Sequence, residues 1–486
     1  MIYVILFPIL IGILGRVIPF KKRSHMELFL ETFVIINSIF VWYLILTGVG
    51  STFILAKFFG GLQIAFKMDG LSMVFAGLVS TLWPLATLYA FEYMTKEENE
   101  RTFFMFYIMT YGVTLGIAMA ENIITMYFFY ELLTLVTVPL VMHTLTREAI
   151  LASRKYLYYS LGGAAFAFIG MVFIITYGTT PDFTLGGVFS EGVFAGNQNL
   201  FLFVYVMAFM GFGVKAAICP FNSWLPDAGV APTPVTALLH AVAVVKSGAF
   251  AIIRLTFYCF GTKYLIGTWA QNVLMVVVMF TIVYGCSRAV KETHIKRRLA
   301  YSTISNLSYI LFGVIIMTPL GMVGALCHLV FHAFMKIASF FCAGSIMHQT
   351  EKHYVHELDG LGKKMPAVFT IFTISALALM GVPGLAGFIS KWYLAEAAVS
   401  SGNTLAYFGI GALLISALLT AIYMMTITVR AFFPGKDFDY STVEEYSDPN
   451  WKMILPLCIF IIFVVIFGVY SKPLVQLFVN ISEGLL

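Results

Sequence analysis

Long apolar runs, cut at charged or turn-rich breaks, recur from one end of this chain to the other. A helix needs about 20 mostly apolar residues to cross a bilayer. By that measure the pattern predicts fourteen spans: 2–20, 28–48, 71–93, 102–120, 122–145, 155–178, 200–221, 235–259, 264–286, 299–317, 320–347, 367–398, 404–431 and 453–474. The stretch 50–70 has shorter apolar runs and carries Lys57, Lys67 and Asp69, so it reads as an extramembrane loop or a short hairpin. The longest connections, 179–199, 348–366 and 432–451, leave no room for a soluble domain. The expected fold class is an all-α polytopic membrane protein.

Composition agrees and removes the alternatives. Of 486 residues, 60% are hydrophobic and 11% charged, with a mean hydropathy of +0.91. A soluble domain usually carries about 25% charged residues, so soluble globular, disordered and nucleic-acid-binding classes are excluded. The net charge of +5 has no basic cluster on a solvated domain behind it. Cys219, Cys259, Cys286, Cys327, Cys342 and Cys458 form no CxxC pair and no ligand spacing with histidine; they read as small buried residues, and neither metal nor cofactor is expected. Gly211-Phe212-Gly213 lacks the third glycine and the strand context of a dinucleotide loop, and there is no Walker loop. No redox or hydrolytic chemistry is therefore expected within the chain. The N-terminus is apolar before it is basic, the reverse of a cleavable signal peptide, and reads as a retained first helix.

Basic residues set the expected orientation. Odd-numbered loops hold runs such as Lys21-Lys22-Arg23, Lys291, Lys296-Arg297-Arg298 and Lys363-Lys364, whereas even-numbered loops hold only Lys57, Lys67 and Lys263. Odd loops thus face the cytoplasm and both termini the outer side of the cell's inner (plasma) membrane.

Once the loop charges are assigned, Glu131, Lys215, Lys246, Lys336 and Lys391 stand out deep inside the predicted spans. A charge at mid-bilayer costs about 2.5–3.5 kcal/mol or more. Lysines can snorkel or pair with an acid to fix packing, but four lysines against one acid cannot all be neutralised by pairing. A row of such groups with water between them can pass protons. His328, His332 and Lys336 follow one another at i, i+4, i+8, on one helical face. His240 precedes Lys246 by six residues, about 240° around a continuous helix, so the two point to different neighbours. The expected relay is Glu131, Lys215, Lys246 and Lys391, supported by His240, His328, His332 and Lys336.

Two spans are interrupted, the seventh around Pro220 and the twelfth at Pro383-Gly384. Such breaks are tolerated where the freed backbone is shielded or lines a wet cavity. They lie five spans apart, which suggests two five-helix repeats, helices 4–8 and 9–13, the second inverted by the odd number of spans. The expected organisation is 1–101 (helices 1–3), 102–259 (first repeat), 260–431 (second repeat) and 432–486 (a loop and helix 14).

These motifs resemble the antiporter-like subunits of Mrp-type cation/proton antiporters, respiratory complex I and membrane-bound hydrogenases. The resemblance rests on Lys215-Ala-Ala, Pro220-Phe, Trp224-Leu-Pro-Asp-Ala228, Ala231-Pro-Thr-Pro-Val235, Ala237-Leu-Leu-His240 and Val245-Lys-Ser-Gly248. Tyr130-Glu131-Leu132, Lys296 through Ser302 and His328 through Lys336 support it. It implies a fourteen-helix fold with inverted repeats, and a hydrated axis with Glu131 and Lys215 as coupled pair, Lys246 as connector and Lys391 on the outlet side. A lysine at 391 resembles the Mrp D-type or complex I N-type subunit more than the largest member, and the Lys296 and Ser390-Lys391 contexts lean to the D-type or a hydrogenase homologue.

The expected function is a proton-translocating, antiporter-like subunit of a larger complex, moving H⁺ with or without exchange for Na⁺. The expected partners are other membrane subunits, the bilayer and these ions. The alternatives are a complex I pumping subunit with a quinone-linked redox partner, a direct quinone-binding role, a stand-alone solute or cation carrier, and a structural spacer.

Overall fold

The computed structural model describes residues 1–48, 50–58 and 62–485. The chain opens with α1 (Ile2–Val17) and α2 (Arg23–Thr47), followed by an antiparallel hairpin of β1 (Thr52–Lys57) and β2 (Gln63–Lys67). The hairpin reading of 50–70 holds; its turn, 59–61, lies outside the described residues. Then come α3 (Gly70–Tyr93), α4 (Glu100–Ala118), α5 (Ile123–Val141), α6 (Arg147–Tyr177), the short α7 (Glu191–Gly196) and α8 (Gln198–Lys215). A one-turn α9 (Trp224–Asp227) leads into α10 (Thr233–Ala241) and α11 (Val244–Ile253), which continues as a π-helix over Arg254–Phe260. The second half holds α12 (Trp269–Lys291), α13 (Ile295–Ile316), α14 (Pro319–Thr350), α15 (Pro366–Met380), α16 (Ala386–Ser400), α17 (Thr404–Phe432), α18 (Trp451–Val469) and α19 (Lys472–Ser482).

Among the described residues eleven helices are long and apolar enough to cross a membrane, against the fourteen spans expected. Of the other predicted spans, the first is a helix of 16 residues, the fourth is α4, which opens on Glu100-Arg101, and the twelfth is split into α15 and α16, 15 residues each. The chain is a multi-pass membrane protein.

Burial sorts the helices into a centre and a rim. The apolar stretches of α10–α11, α13 and α14 are buried along their whole length. The outer helices α2, α6, α17 and α18 instead present Leu28, Phe40, Phe168, Leu418 and Ile462 outward, apolar surface that a lipid phase satisfies. The charged residues buried without loss must be held by hydrogen bonds or counter-charges, and these too concentrate at the centre.

The charge assignment needs one correction. Lys296 and Arg298, counted above with a cytoplasmic loop, are buried in the first turn of α13: Lys296 Nζ donates to Ala231 O at 2.8 Å, and Arg298 to Glu292 O at 2.8 Å and Tyr423 O at 2.9 Å. Their long stems carry the charge to backbone carbonyls, and hydropathy alone cannot tell that from a solvated loop.

Candidate functional site

The seventh span is broken, but earlier than the proline. α8 stops at Lys215, and Pro220 sits in the irregular stretch that follows. The end is fastened by Ile218 N to Gly213 O at 3.0 Å and by Trp224 Nε1 to Val214 O at 2.9 Å. Lys215 is buried to about 1% exposure. Its ammonium donates to Tyr130 O, lies 3.4 Å from the centre of the Tyr130 ring, and stands 3.8 Å from Glu131 Oε1. The Glu131 side chain is 23% exposed. The structure thus brings together the two residues expected to pair. They approach through charge rather than a formed hydrogen bond, because 3.8 Å exceeds the hydrogen-bond range.

The eighth span is also broken, which the sequence did not predict. Between α10 and α11 the helix is interrupted at Val242–Ala243, so the angle of 240° between His240 and Lys246 on a continuous helix does not apply. Val242 N and Ala243 N both donate to Leu238 O, at 3.1 and 2.8 Å. His240 packs against Phe340, ring centres 4.9 Å apart, and among the described residues neither of its ring nitrogens has a partner. Lys246 is wholly buried, and its Nζ lies 3.0 Å from His332 Nδ1 of α14. Gly248, two residues on, packs directly against the end of α8 near Lys215.

From His332 the contacts continue along α14. The His332 and His328 rings stack with centres 5.5 Å apart, and His328 Nδ1 lies 2.9 Å from Ser390 Oγ of α16. The next residue, Lys391, donates from Nζ to Leu379 O at 2.7 Å and Met380 O at 2.8 Å, the last two residues of α15. The break expected at Pro383 and Gly384 lies here: α15 ends on Gly381 at φ 97°, Gly384 has φ 86°, and α16 starts at Ala386. A left-handed glycine ends a helix without the cost of a β-carbon. Tyr309 of α13 bridges the two groups, its ring 5.0 Å from that of His328 and 5.4 Å from Lys391 Nζ.

Lys336 belongs to a side branch. Its Nζ donates to Ser302 Oγ at 2.7 Å, and Tyr423 OH of α17 donates to the same oxygen at 2.7 Å. It also lies 5.9 Å from the centre of the Phe340 ring, against which His240 packs as well. The i, i+4, i+8 spacing of His328, His332 and Lys336 holds within α14, yet their partners lie on three other helices.

Several groups escaped the sequence reading. Ser302, Ser390, Tyr309 and Tyr423 partner the relay candidates, and hydroxyl-bearing residues in apolar runs carry no signal of their own. Glu131 Oε1, Thr134 Oγ1, Ser247 Oγ, Asn306 Oδ1, and Nε2 of His328 and His332 are buried without a protein partner among the described residues. Each such group costs about 1–3 kcal/mol when left unmade, and ordered water can bridge groups of this kind. Among the described residues no group of three or more His, Cys, Asp or Glu side chains converges as a metal site.

Residues 120–420 match the family model described as NADH:quinone oxidoreductase/Mrp antiporter, TM. Residues 59–104 match that of the N-terminus of chain 5 of NADH-ubiquinone oxidoreductase (complex I). Na(+)/H(+) antiporter subunit A1 of Staphylococcus aureus is 28% identical, over 96% of this chain and 60% of its own length. NADH-quinone oxidoreductase subunit L of Mycobacterium tuberculosis is 31% identical, over 82% of this chain and 62% of its own length. The chain thus spans about three fifths of the length of the curated relatives it matches. Those two are an A1 and an L subunit, whereas Lys391 leaned toward the D-type or N-type. Among solved structures, a chain of the archaeal membrane-bound sulfane sulfur reductase superposes with a TM-score of 0.85 at 21% identity, covering 99% of this chain and 96% of that one. A chain of the Mrp complex from Dietzia superposes at 0.83 with 20% identity, covering 100% and 97%. These two likenesses are of fold.

Proposed function

We propose, since the chain belongs to the NADH:quinone oxidoreductase/Mrp antiporter transmembrane family, that it translocates protons along its buried row of charged and imidazole groups as one subunit of a larger membrane complex. The observation that carries this reading is the contact of Lys246 with His332 at 3.0 Å. One is an amine and the other an imidazole, both wholly buried, so a proton can pass along the hydrogen bond without either group crossing open lipid. On one side Gly248 brings the same helix against Lys215 and, through it, Glu131. On the other side His328 and Ser390 lead to Lys391. Where contacts lapse, the unpartnered buried polar atoms offer water its anchoring points.

Glu131 supplies the switch. When its carboxylate stands beside Lys215 it favours the charged amine; when the two part, burial favours the neutral form and the proton moves on. His240 and Lys336, both near the Phe340 ring, form a supporting branch. The breaks after α8 and between α15 and α16 fall at corresponding places in helices 4–8 and 9–13, which supports reading these as inverted repeats. The Lys- and Arg-rich odd loops support a cytoplasmic face there, with both termini outside the plasma membrane. Other membrane subunits of an Mrp, hydrogenase or complex I-like assembly are the partners this reading requires, with H⁺ and, in an antiporter, Na⁺ as the ions.

The test is replacement of Glu131 or Lys215 by Ala, with assembly followed alongside gradient-driven proton transport in membrane vesicles. Transport is expected to vanish while the complex still assembles. Normal transport in both variants would refute the relay. A stand-alone carrier is separated by reconstitution: only such a carrier transports when the purified chain is placed alone in liposomes.

A further inference from the structure

Eight residues beyond Lys246, on the same helix, stands a guanidinium that the relay does not use. The i, i+4, i+8 spacing places Lys246 and Phe250 of α11 on one face with Arg254, the first residue of its π-helical continuation, with about 12 Å of helical rise between the two cations. Arg254 is wholly buried. Its Nη1 and Nη2 donate to Asp69 Oδ2 and Oδ1 at 2.6 and 2.7 Å, and Nη2 also reaches Ser72 Oγ at 3.1 Å. The rings of Phe183, Phe250 and Tyr258 lie 4.8, 5.3 and 4.7 Å from its guanidinium carbon. Between Arg254 and Lys246, Phe250 stacks on Phe75 of α3 at 4.9 Å and 28°. Asp69 is the N-cap of α3, two residues after β2. From Lys246 toward the hairpin, the helix face therefore meets an aromatic layer with no donor or acceptor, then a fixed, mutually neutralised charge pair.

We propose that the Phe75–Phe250 stack and the Asp69–Arg254 pair seal the hairpin end of α11, so that a proton on Lys246 leaves only sideways, to His332. This rests on the relay reading of Lys246. A translocator whose middle group opens directly to one face short-circuits the gradient it maintains. Each layer answers that hazard by a different property. The stacked rings interrupt any chain of hydrogen bonds. The guanidinium is always charged in proteins and does not give up its proton, so it cannot relay one. Asp69, bound to it through two hydrogen bonds, makes that charge tolerable in a buried place.

The test uses membrane vesicles carrying the full chain with its partner subunits, with the driving reaction off. A potassium diffusion potential is imposed with valinomycin, and passive proton entry is followed with an internal pH dye. Phe250→Ala and the doubly neutral Asp69→Asn/Arg254→Gln variant are each expected to raise the leak several-fold, and Lys246→Met added to either is expected to abolish the increase. A leak at the native level in an assembled Phe250→Ala complex overturns the seal, as does an increase that persists with Lys246→Met. If the double variant fails to assemble, Phe250→Ala alone decides. Lys246→Met by itself keeps the two ideas apart: normal driven transport in that variant refutes the relay, whereas a native leak in Phe250→Ala refutes only the seal.

Discussion

Gly248 offers the sharpest perturbation of the spacing between the two halves of the proposed path. A β-carbon there would lie 2.6 Å from Ala216 N and 3.0 Å from both Lys215 C and Phe212 O. All three are backbone atoms at the end of α8, so no flexible side chain can swing aside. Restoring an ordinary contact of 3.4 Å requires α11 to retreat by about 0.8 Å, the difference between 3.4 and 2.6. Lys246, two residues away, moves with α11, while Lys215 stays with α8. Overpacking of this kind costs about 1–3 kcal/mol, offset by the roughly 0.5–1 kcal/mol that alanine gains over glycine inside a helix. A misplacement near 1 Å can slow an alignment-dependent step about 10²-fold. Gly248→Ala is therefore expected to cut the initial rate of gradient-driven proton transport in vesicles far more than it lowers the thermal midpoint of the purified complex. Gly162→Ala in α6 is the control, because a β-carbon there meets nothing within 4 Å; it should leave transport unchanged and leave the thermal midpoint level or slightly raised. A native transport rate in Gly248→Ala would refute the idea that this contact sets the distance between the two lysines.

Three further outcomes can be checked directly. Ser302→Ala removes the shared acceptor of Lys336 and Tyr423 and should lower stability by about 1.5–3 kcal/mol for the charged hydrogen bond, while Ser302→Thr should not; an unchanged unfolding midpoint in the alanine variant counts against the pairing. At position 391 the ammonium donates to two carbonyls, which a carboxylate would repel, so Lys391→Arg should retain more transport than Lys391→Glu, and equal loss would refute the geometry. Burial, reinforced by nearby Lys296 and His353, pushes the His294 imidazole, just ahead of α13, down to about 4. A depressed folded-state value means its stabilisation is present above the unfolded value near 6.5 and is lost as pH falls through about 4. His294→Gln should flatten the acid limb of the stability profile, measured as thermal midpoint from pH 7 to 4; an unaltered limb removes His294 as its source.

What the sequence made legible follows from which physical signals a sequence carries. Charges inside apolar runs are costly and therefore conspicuous, so Glu131, Lys215, Lys246, Lys336 and Lys391 stood out. The pauses at Pro220 and at Pro383-Gly384 did as well, because proline and glycine disfavour helix interiors, though α8 ends five residues before its proline. The break at Val242–Ala243 gave no such sign, since neither residue breaks helices by itself. Arg254 lay inside a predicted span yet went unremarked, and its partner Asp69 was assigned to a loop, because pairing between positions 185 residues apart leaves no local trace. Lys296 and Arg298 misled in the opposite sense, looking like loop charges while reaching buried carbonyls. Ser302, Ser390, Tyr309 and Tyr423 illustrate the general limit: hydroxyls are compatible with apolar helices, and only the fold shows which of them face a charge.

The imbalance of four lysines against one acid also looks different once the ends of the half-helices are in place. The aligned peptide dipoles of a helix leave about half a negative charge at its C-terminus, and the Lys391 ammonium sits on the final carbonyls of α15. Its counter-charge is thus part of the main chain: it cannot be protonated away, and no side-chain replacement deletes it. Lys215 faces Glu131, an acid that can be neutralised and can move. The two ends of the row are consequently not interchangeable, one amine standing beside a side-chain acid and the other held by main-chain carbonyls at a helix end.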